Sequence, residues 1–139
     1  MSNMNKNKMP KTPYKKGVVI YSANDPSDSV YLVHTGTVQL ETKNGMVLGE
    51  LAQGELFGEV GLITSEARTV TVRAQTDCIV IKIDEAVFRK KMQEADPICN
   101  AIIRGLALRI NDANDLAEKH WKELSVYKSL DSSIDRQVK

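Results

Sequence analysis

Two glycines, one carboxylate and one guanidinium lie close together in the run Phe57-Gly58-Glu59-Val60-Gly61-Leu62-Ile63-Thr64-Ser65-Glu66-Ala67-Arg68-Thr69-Val70-Thr71-Val72. The run begins like a helix start and ends like a strand. Glycine lets backbone N–H groups come close to a ligand, and N–H groups at a helix start favour an anion. An arginine can grip a phosphate through two parallel hydrogen bonds, and a glutamate can accept from a sugar hydroxyl. The set suits a small sugar phosphate of low charge. Taken singly, each residue has a plainer use: Arg68 as a surface arginine paired with Glu66 or Glu59, and Glu59 as a carboxylate favoured by the helix dipole.

The rest of the chain offers little competing chemistry. His34 and His120 are the only histidines, and no acid or cysteine pattern completes a metal site around them. No nucleophile and base are spaced for covalent catalysis, so no enzyme activity is expected of this chain. Cys78 and Cys99 form neither a CxxC pair nor a zinc pattern. Both read as buried free thiols in a reducing compartment, which points to the cytoplasm.

A length of 139 residues is enough for one domain with a real core. A net charge of +1 gives no overall field to attract nucleic acid or a membrane surface. Lys6, Lys8, Lys11, Lys15 and Lys16 nevertheless crowd the start without an acid among them. Residues 1–13 are expected to form a flexible basic lead. No apolar run is long enough to span a bilayer, and the basic start lacks the apolar stretch of a signal peptide.

Between the lead and residue 83, short β-rich runs alternate with turn signals. Gly17–Tyr21, Val30–His34, Thr37–Glu41, Met46–Leu51, Thr69–Arg73 and Cys78–Ile83 read as strands. Asn24-Asp25-Pro26-Ser27-Asp28 and Asn44-Gly45 read as turns, the second as a tight hairpin. Many short strands with close turns imply a β-sandwich or roll. The period then changes. Asp84 is placed to cap a helix over residues 84–95, and Asp96-Pro97 to open a second over 97–127, followed by a polar tail over 128–139. Ile103, Leu106, Ile110, Ala113, Ala117, His120, Leu124 and Tyr127 step by three and four, a heptad seam with small residues at its middle. Such a seam predicts a homodimer. The same stripe could instead fold back on the roll, with Ile103 and Leu106 the first to do so.

The run from Phe57 resembles the phosphate-binding cassette of cyclic-nucleotide-binding domains, as in cAMP-dependent kinase regulatory subunits and the bacterial catabolite activator family. That pattern is Phe-Gly-Glu, an aliphatic, a small residue, Leu, a short variable stretch, then Pro-Arg-Ala/Thr/Ser and an alternating strand. Here it reads Phe57-Gly58-Glu59-Val60-Gly61-Leu62, then Ala67-Arg68-Thr69-Val70-Thr71-Val72, with Ala67 where the family often has proline. The resemblance covers roughly residues 14–125 and implies a mainly β fold: a double-stranded β-helix, or jelly-roll-like β-roll, followed by C-terminal α-helices. The family's helical segment before the first strand has no counterpart of similar length here, which would leave one roll edge bare.

The resemblance implies that Arg68 pairs with the cyclic phosphate, Glu59 accepts from the ribose 2′-OH, and Gly58 and Val60 offer backbone N–H groups. Thr69 fits either a hydroxyl contact to a syn purine, compatible with cAMP or cGMP, or an ordinary strand position. Leu40 and Leu48 would face the base, a role compatible with core packing. On the long helix, Ala113 lacks the hydroxyl that dimeric relatives use, whereas Asn114 could read a purine edge. His120 and Trp121 could stack on a base, though a seam position suits them better. The implied function is a sensor or regulatory domain for cAMP and/or cGMP that signals through its C-terminal helices to an effector the sequence does not name. The implied ligand is the nucleotide alone, with no further cofactor, metal, DNA or membrane contact, and no DNA-binding output segment is expected in this chain. The alternative is a dimerisation or scaffold module whose roll no longer binds nucleotide.

Overall fold

The computed structural model describes residues 9–138, with side chains described as far as Leu130 apart from Tyr127 and Ser129. Residues 1–8 of the expected lead lie outside it. Eight strands come first in the chain, with one short helix among them: β1 (Lys11–Tyr14), β2 (Val19–Tyr21), β3 (Ser29–Thr35), β4 (Val38–Glu41), β5 (Val47–Leu51), β6 (Leu56–Phe57), α1 (Glu59–Thr64), β7 (Thr71–Ala74) and β8 (Cys78–Asp84). Two helices follow, α2 (Glu85–Glu94) and α3 (Pro97–Val138). The strands form two four-stranded sheets, ordered β1-β8-β3-β6 and β2-β7-β4-β5, antiparallel throughout. This is the expected β-roll with helices after it.

The inward faces of both sheets make one core. Val72 and Ala74 alternate inward along β7, and Val33, Val38, Phe57 and Val80 join them from the other strands. Three aromatics anchor it: Tyr31 stacks on Phe57 with centroids 5.1 Å apart, and Tyr21 tilts against both at 5.9 Å. Such pairs add about 0.5–1.5 kcal/mol beyond their buried area. Asn44-Gly45 makes its turn with Gly45 at φ 89 and its N–H donated to Thr42.

Four expectations change. The lead was expected to be flexible through residue 13, yet Lys11–Tyr14 pairs with Ile81 to Cys78 and covers the edge expected to be bare. Pro13 is tolerated because an edge strand leaves one row of N–H positions unused. The long helix does not end near Tyr127 but runs on to Val138, in keeping with the absence of Gly and Pro beyond Pro97 other than Gly105. Cys78 is buried as expected, but Cys99, in the first turn of α3, is exposed. At that same turn Asp96 behaves as read: its Oδ1 accepts from the N–H of Ile98 at 2.7 Å, with Pro97 first in the helix. Asp84 precedes α2 in extended conformation, but its side chain makes no capping bond.

Helix α3 lies on the roll along Ile103, Ala107, Asn111 and Asn114. Of the expected seam, Ile103 is half-buried, while Leu106 is 51% and Leu124 59% exposed. Ile103 therefore folds back and Leu106 does not. Tyr127's side chain lies outside the described residues.

Candidate functional site

Strand β6 delivers the chain to Gly58, which takes a left-handed φ of 87 before α1 begins. A Cβ at Gly58 would stand 2.7 Å from Arg68 Nη1 and 3.2 Å from the Ser29 carbonyl oxygen. The glycine therefore serves both the turn and the close approach of the arginine. One turn on, a Cβ at Gly61 would collide with Ser27 Oγ. Helix α1 is six residues long and closes at Ser65, itself left-handed at φ 57.

Arg68 follows on the segment between α1 and β7, tied down by backbone bonds on both sides. Its N–H donates to the Asp25 carbonyl, and its carbonyl accepts from the Asn24 N–H, both at 2.8 Å. The Asn24-Asp25 turn is thus a brace for the arginine. The side chain is only 4% exposed as a residue, an unusual place for a permanent cation. Nη1 donates to the Gly58 carbonyl at 2.9 Å, and Nη2 to Ser29 Oγ at 3.3 Å and Asp28 Oδ1 at 3.5 Å. Cζ sits 4.2 Å from the Tyr21 ring centroid. Attraction of a cation to a ring face is worth about 0.5–2 kcal/mol. Nε is buried and has no hydrogen-bond partner.

Glu59, first residue of α1, shows the complementary imbalance. Its Oε2 is buried with no partner. Burial pushes its carboxyl above the ordinary carboxylate range, opposed by its own backbone hydrogen bond and by Arg68. Burial also raises the Tyr21 hydroxyl, with Arg68 opposing, so the ring beside the guanidinium stays neutral. A polar atom buried without a partner costs about 1–3 kcal/mol, and more when charged.

Both groups line one cavity of about 260 Å³. All eight residues expected to contact the ligand meet there. Gly58, Glu59 and Val60 come from the start of α1, Arg68 and Thr69 from the segment before β7, Leu40 and Leu48 from β4 and β5, and Asn114 from α3. Leu51 and Leu56 extend its apolar side and Ile110 joins Asn114 from the helix. One wall is thus apolar, one carries an acid and a cation, and one end is crossed by a helix. Ala113, His120 and Trp121 do not line it. Among the described residues no group of three or more His, Cys, Asp or Glu side chains could hold a metal ion.

A second, polar cavity of similar volume shares Arg68, Thr69, Val70 and Asn114 as a wall. Asn111 lines it; its Nδ2 donates to Glu66 Oε2 at 3.4 Å, while its Oδ1 is buried without a partner. Asn44 in the hairpin donates to Glu118 of α3. Sequence reasoning missed Asn111, and also Tyr21, Asp28 and Ser29 around the guanidinium. The only signal for Asp28 was its place in the turn run, and nothing marked Tyr21 as more than a strand residue.

The cyclic nucleotide-binding domain family matches residues 11–95. This chain belongs to that family. The domain is similar to lysophospholipase nte1 of Aspergillus fumigatus, 33% identical over 122 residues, covering 85% of this chain and 8% of the relative. It is also similar to an NTE family protein of Mycobacterium tuberculosis, 31% identical over 88 residues, covering 63% of this chain and 15% of the relative. Among solved structures, the EAL enzyme Bd1971 in its cAMP-bound form superposes with a TM-score of 0.71 at 26% identity, over 83% of this chain and 32% of that one. Its cGMP-bound form gives the same TM-score and identity over 81% and 31%. The domain thus spans a small part of each curated relative and about a third of Bd1971, and the relatives that contain a matching segment include enzymes. No described helix is long and apolar enough to cross a membrane.

Proposed function

We propose that this domain binds a cyclic purine mononucleotide, cAMP or cGMP, in the cavity between α1, β4–β5 and α3, and reports occupancy through its C-terminal helices. The observation that carries this reading is the pair of partnerless buried atoms, Glu59 Oε2 and Arg68 Nε, on one 260 Å³ cavity. A cyclic phosphate gives Arg68 its counter-charge, and a ribose 2′-OH gives Glu59 its donor. Backbone N–H groups at the start of α1, including that of Val60, have no carbonyl within the helix to bond and are free for phosphate oxygens. Leu40 and Leu48 offer the base an apolar face, and Thr69 and Asn114 offer polar contacts at its edge. The cAMP- and cGMP-bound forms of Bd1971 support both ligands.

Signal transmission rests on where α3 touches the roll. Asn114 lines the cavity while Asn111 and Glu118 hold the helix to Glu66 and Asn44. A ligand that contacts Asn114 shifts the balance between docked and undocked helix by its differential affinity for the two. The exposed apolar stripe of Leu106, Leu116 and Leu124 supports a homodimer through α3. In this reading the domain is a regulatory module with the nucleotide as its ligand and no further cofactor, acting on an effector in the cytoplasm.

Calorimetry with cAMP and with cGMP tests the reading: saturable one-site binding of at least one is expected. Failure of both at millimolar ligand overturns it and leaves the scaffold alternative. Light scattering over a concentration series tests the dimer, and a monomer at the highest concentration removes it.

A further inference from the structure

A larger cavity, of about 410 Å³, lies where α1, α2 and α3 meet. Its apolar part is made by Ile63 of α1 with Phe88 and Met92 of α2. Two guanidiniums line it, Arg89 and Arg104, and no carboxylate does. Arg89 already pairs with Glu85 at 2.7 Å and donates to the Leu62 carbonyl at 3.4 Å. Arg104 has no ion pair among the described residues. Asn100 supplies a third kind of group. Its Nδ2 donates to the Met92 carbonyl at 2.7 Å, which fixes the amide's orientation, and its Oδ1 is then buried without a hydrogen-bond donor. One turn beyond Arg104 on the same face of α3, Leu108 is 48% exposed and continues the apolar surface.

We infer that this groove docks a short acidic–apolar peptide segment of a partner protein. The three unmet needs are those of a peptide rather than of a simple hydrocarbon. A backbone N–H satisfies Asn100 Oδ1, a bulky apolar side chain covers Ile63, Phe88 and Met92, and an Asp or Glu side chain pairs with Arg104. Charge complementarity selects the acidic segment, because Arg104 is a cation without an ion pair among the described residues and no carboxylate lines the groove. Ile63 lies in the same six-residue helix as Glu59, so the docked peptide and the nucleotide cavity share one rigid element. The inference itself does not depend on nucleotide binding.

The test is fluorescence anisotropy of the full chain, without nucleotide, using a labelled peptide of alternating Glu and Leu. Saturable binding is expected, weakened at least about tenfold by Arg104→Glu and by Ala101→Trp, an exposed position whose new ring fills the groove. Arg109→Glu, on another face of α3, removes the same net charge and should leave binding unchanged. Peptides of alternating Lys and Leu, or Glu and Ser, should bind at least about tenfold more weakly. Equal binding of the Lys–Leu peptide overturns the inference, as does indifference to Arg104→Glu and Ala101→Trp. If octanoate titrates the groove residues while no peptide binds, the occupant is a small amphiphile and the peptide is ruled out. If Ala101→Trp instead abolishes a dimer and no peptide binds, the groove belongs to a second copy.

Discussion

The roll and the long helix solve opposite problems with their side chains. In the roll, the core between the sheets is apolar, and beside it a guanidinium and a carboxylate each hold a buried atom that lacks a partner. In α3 the polar residues at Asn111, Asn114 and Glu118 face the roll, and large apolar side chains, Leu106, Leu116 and Leu124, are exposed. Unmet polar groups in a well-packed frame are matched by a small polar ligand. Unmet apolar groups on a helix are matched by another protein surface. Under the proposed function, recognition falls to the roll and transmission to the helix, and ligand affinity is then expected to fall more steeply with substitutions in the first than in the second.

The largest effect is expected from Arg68→Ala. Removing one partner from a desolvated charge pair costs about 2–5 kcal/mol, or roughly 30-fold to several-thousand-fold in Kd. Calorimetry showing wild-type affinity for both nucleotides would break the assignment of recognition to the roll. Next is Glu59→Gln, expected to weaken cAMP or cGMP by about 1–3 kcal/mol because the acceptor loses its charge, with a smaller loss for the 2′-deoxy nucleotide. An equal loss for both nucleotides separates Glu59 from the ribose.

The same substitution has a stability signature of opposite sign. Burial holds the folded-state pKa of Glu59 above its unfolded value. Its favourable contribution is therefore present in acid, where the carboxyl is protonated in both states, and is lost as pH rises through the folded pKa. Without ligand, Glu59→Gln should melt with the wild type at acid pH. It should melt above it increasingly as pH passes the ordinary carboxylate range. Melting curves that stay parallel across that range would show the carboxyl to be solvated.

Smaller effects test the helix side. Asn114→Ala should weaken the nucleotide by about 1 kcal/mol, the worth of one neutral hydrogen bond, and should act more on one purine than the other. A loss as large as that of Arg68→Ala would move recognition onto the helix and dissolve the contrast. Asp28→Asn should matter least: its side chain is 69% exposed and meets Arg68 only at 3.5 Å. Loss of such a competing pair should tighten nucleotide binding by less than about 1 kcal/mol.

Much of this was legible because local chemistry and fold agree. Asn44-Gly45 needs a residue with positive φ and gets one, and Asp96-Pro97 caps and opens its helix as read. Gly58, Glu59, Arg68 and Thr69 were legible because acid, glycines and arginine lie within one continuous run. What was hidden depends on partners distant in sequence. Strand β1 exists through pairing with β8, some seventy residues on, and a Lys-Thr-Pro-Tyr run carries no strand signal of its own. The docked face of α3 was left open by the sequence: the more apolar stripe, Ile103-Leu106-Ile110-Ala113, reads as a dimer seam, and Ile103-Ala107-Asn111-Asn114 meets the roll. Periodicity ranks stripes by hydrophobicity, whereas the roll presents Glu66, Asn44 and a polar cavity rim to the helix. Tyr21 and Ser29 were invisible as neighbours of Arg68 for the same reason, since only the closed roll brings them to it.

Cys99 stands exposed in the first turn of α3, while the other thiol, Cys78, is enclosed in the roll, where burial also raises its pKa. A maleimide dye applied to the folded protein thus has a single accessible address, at the elbow between α2 and α3, with no engineered residue. The chain's single tryptophan, Trp121, lies on the same helix, so dye and indole together form a built-in optical ruler for whether that helix bends when the roll takes up its ligand.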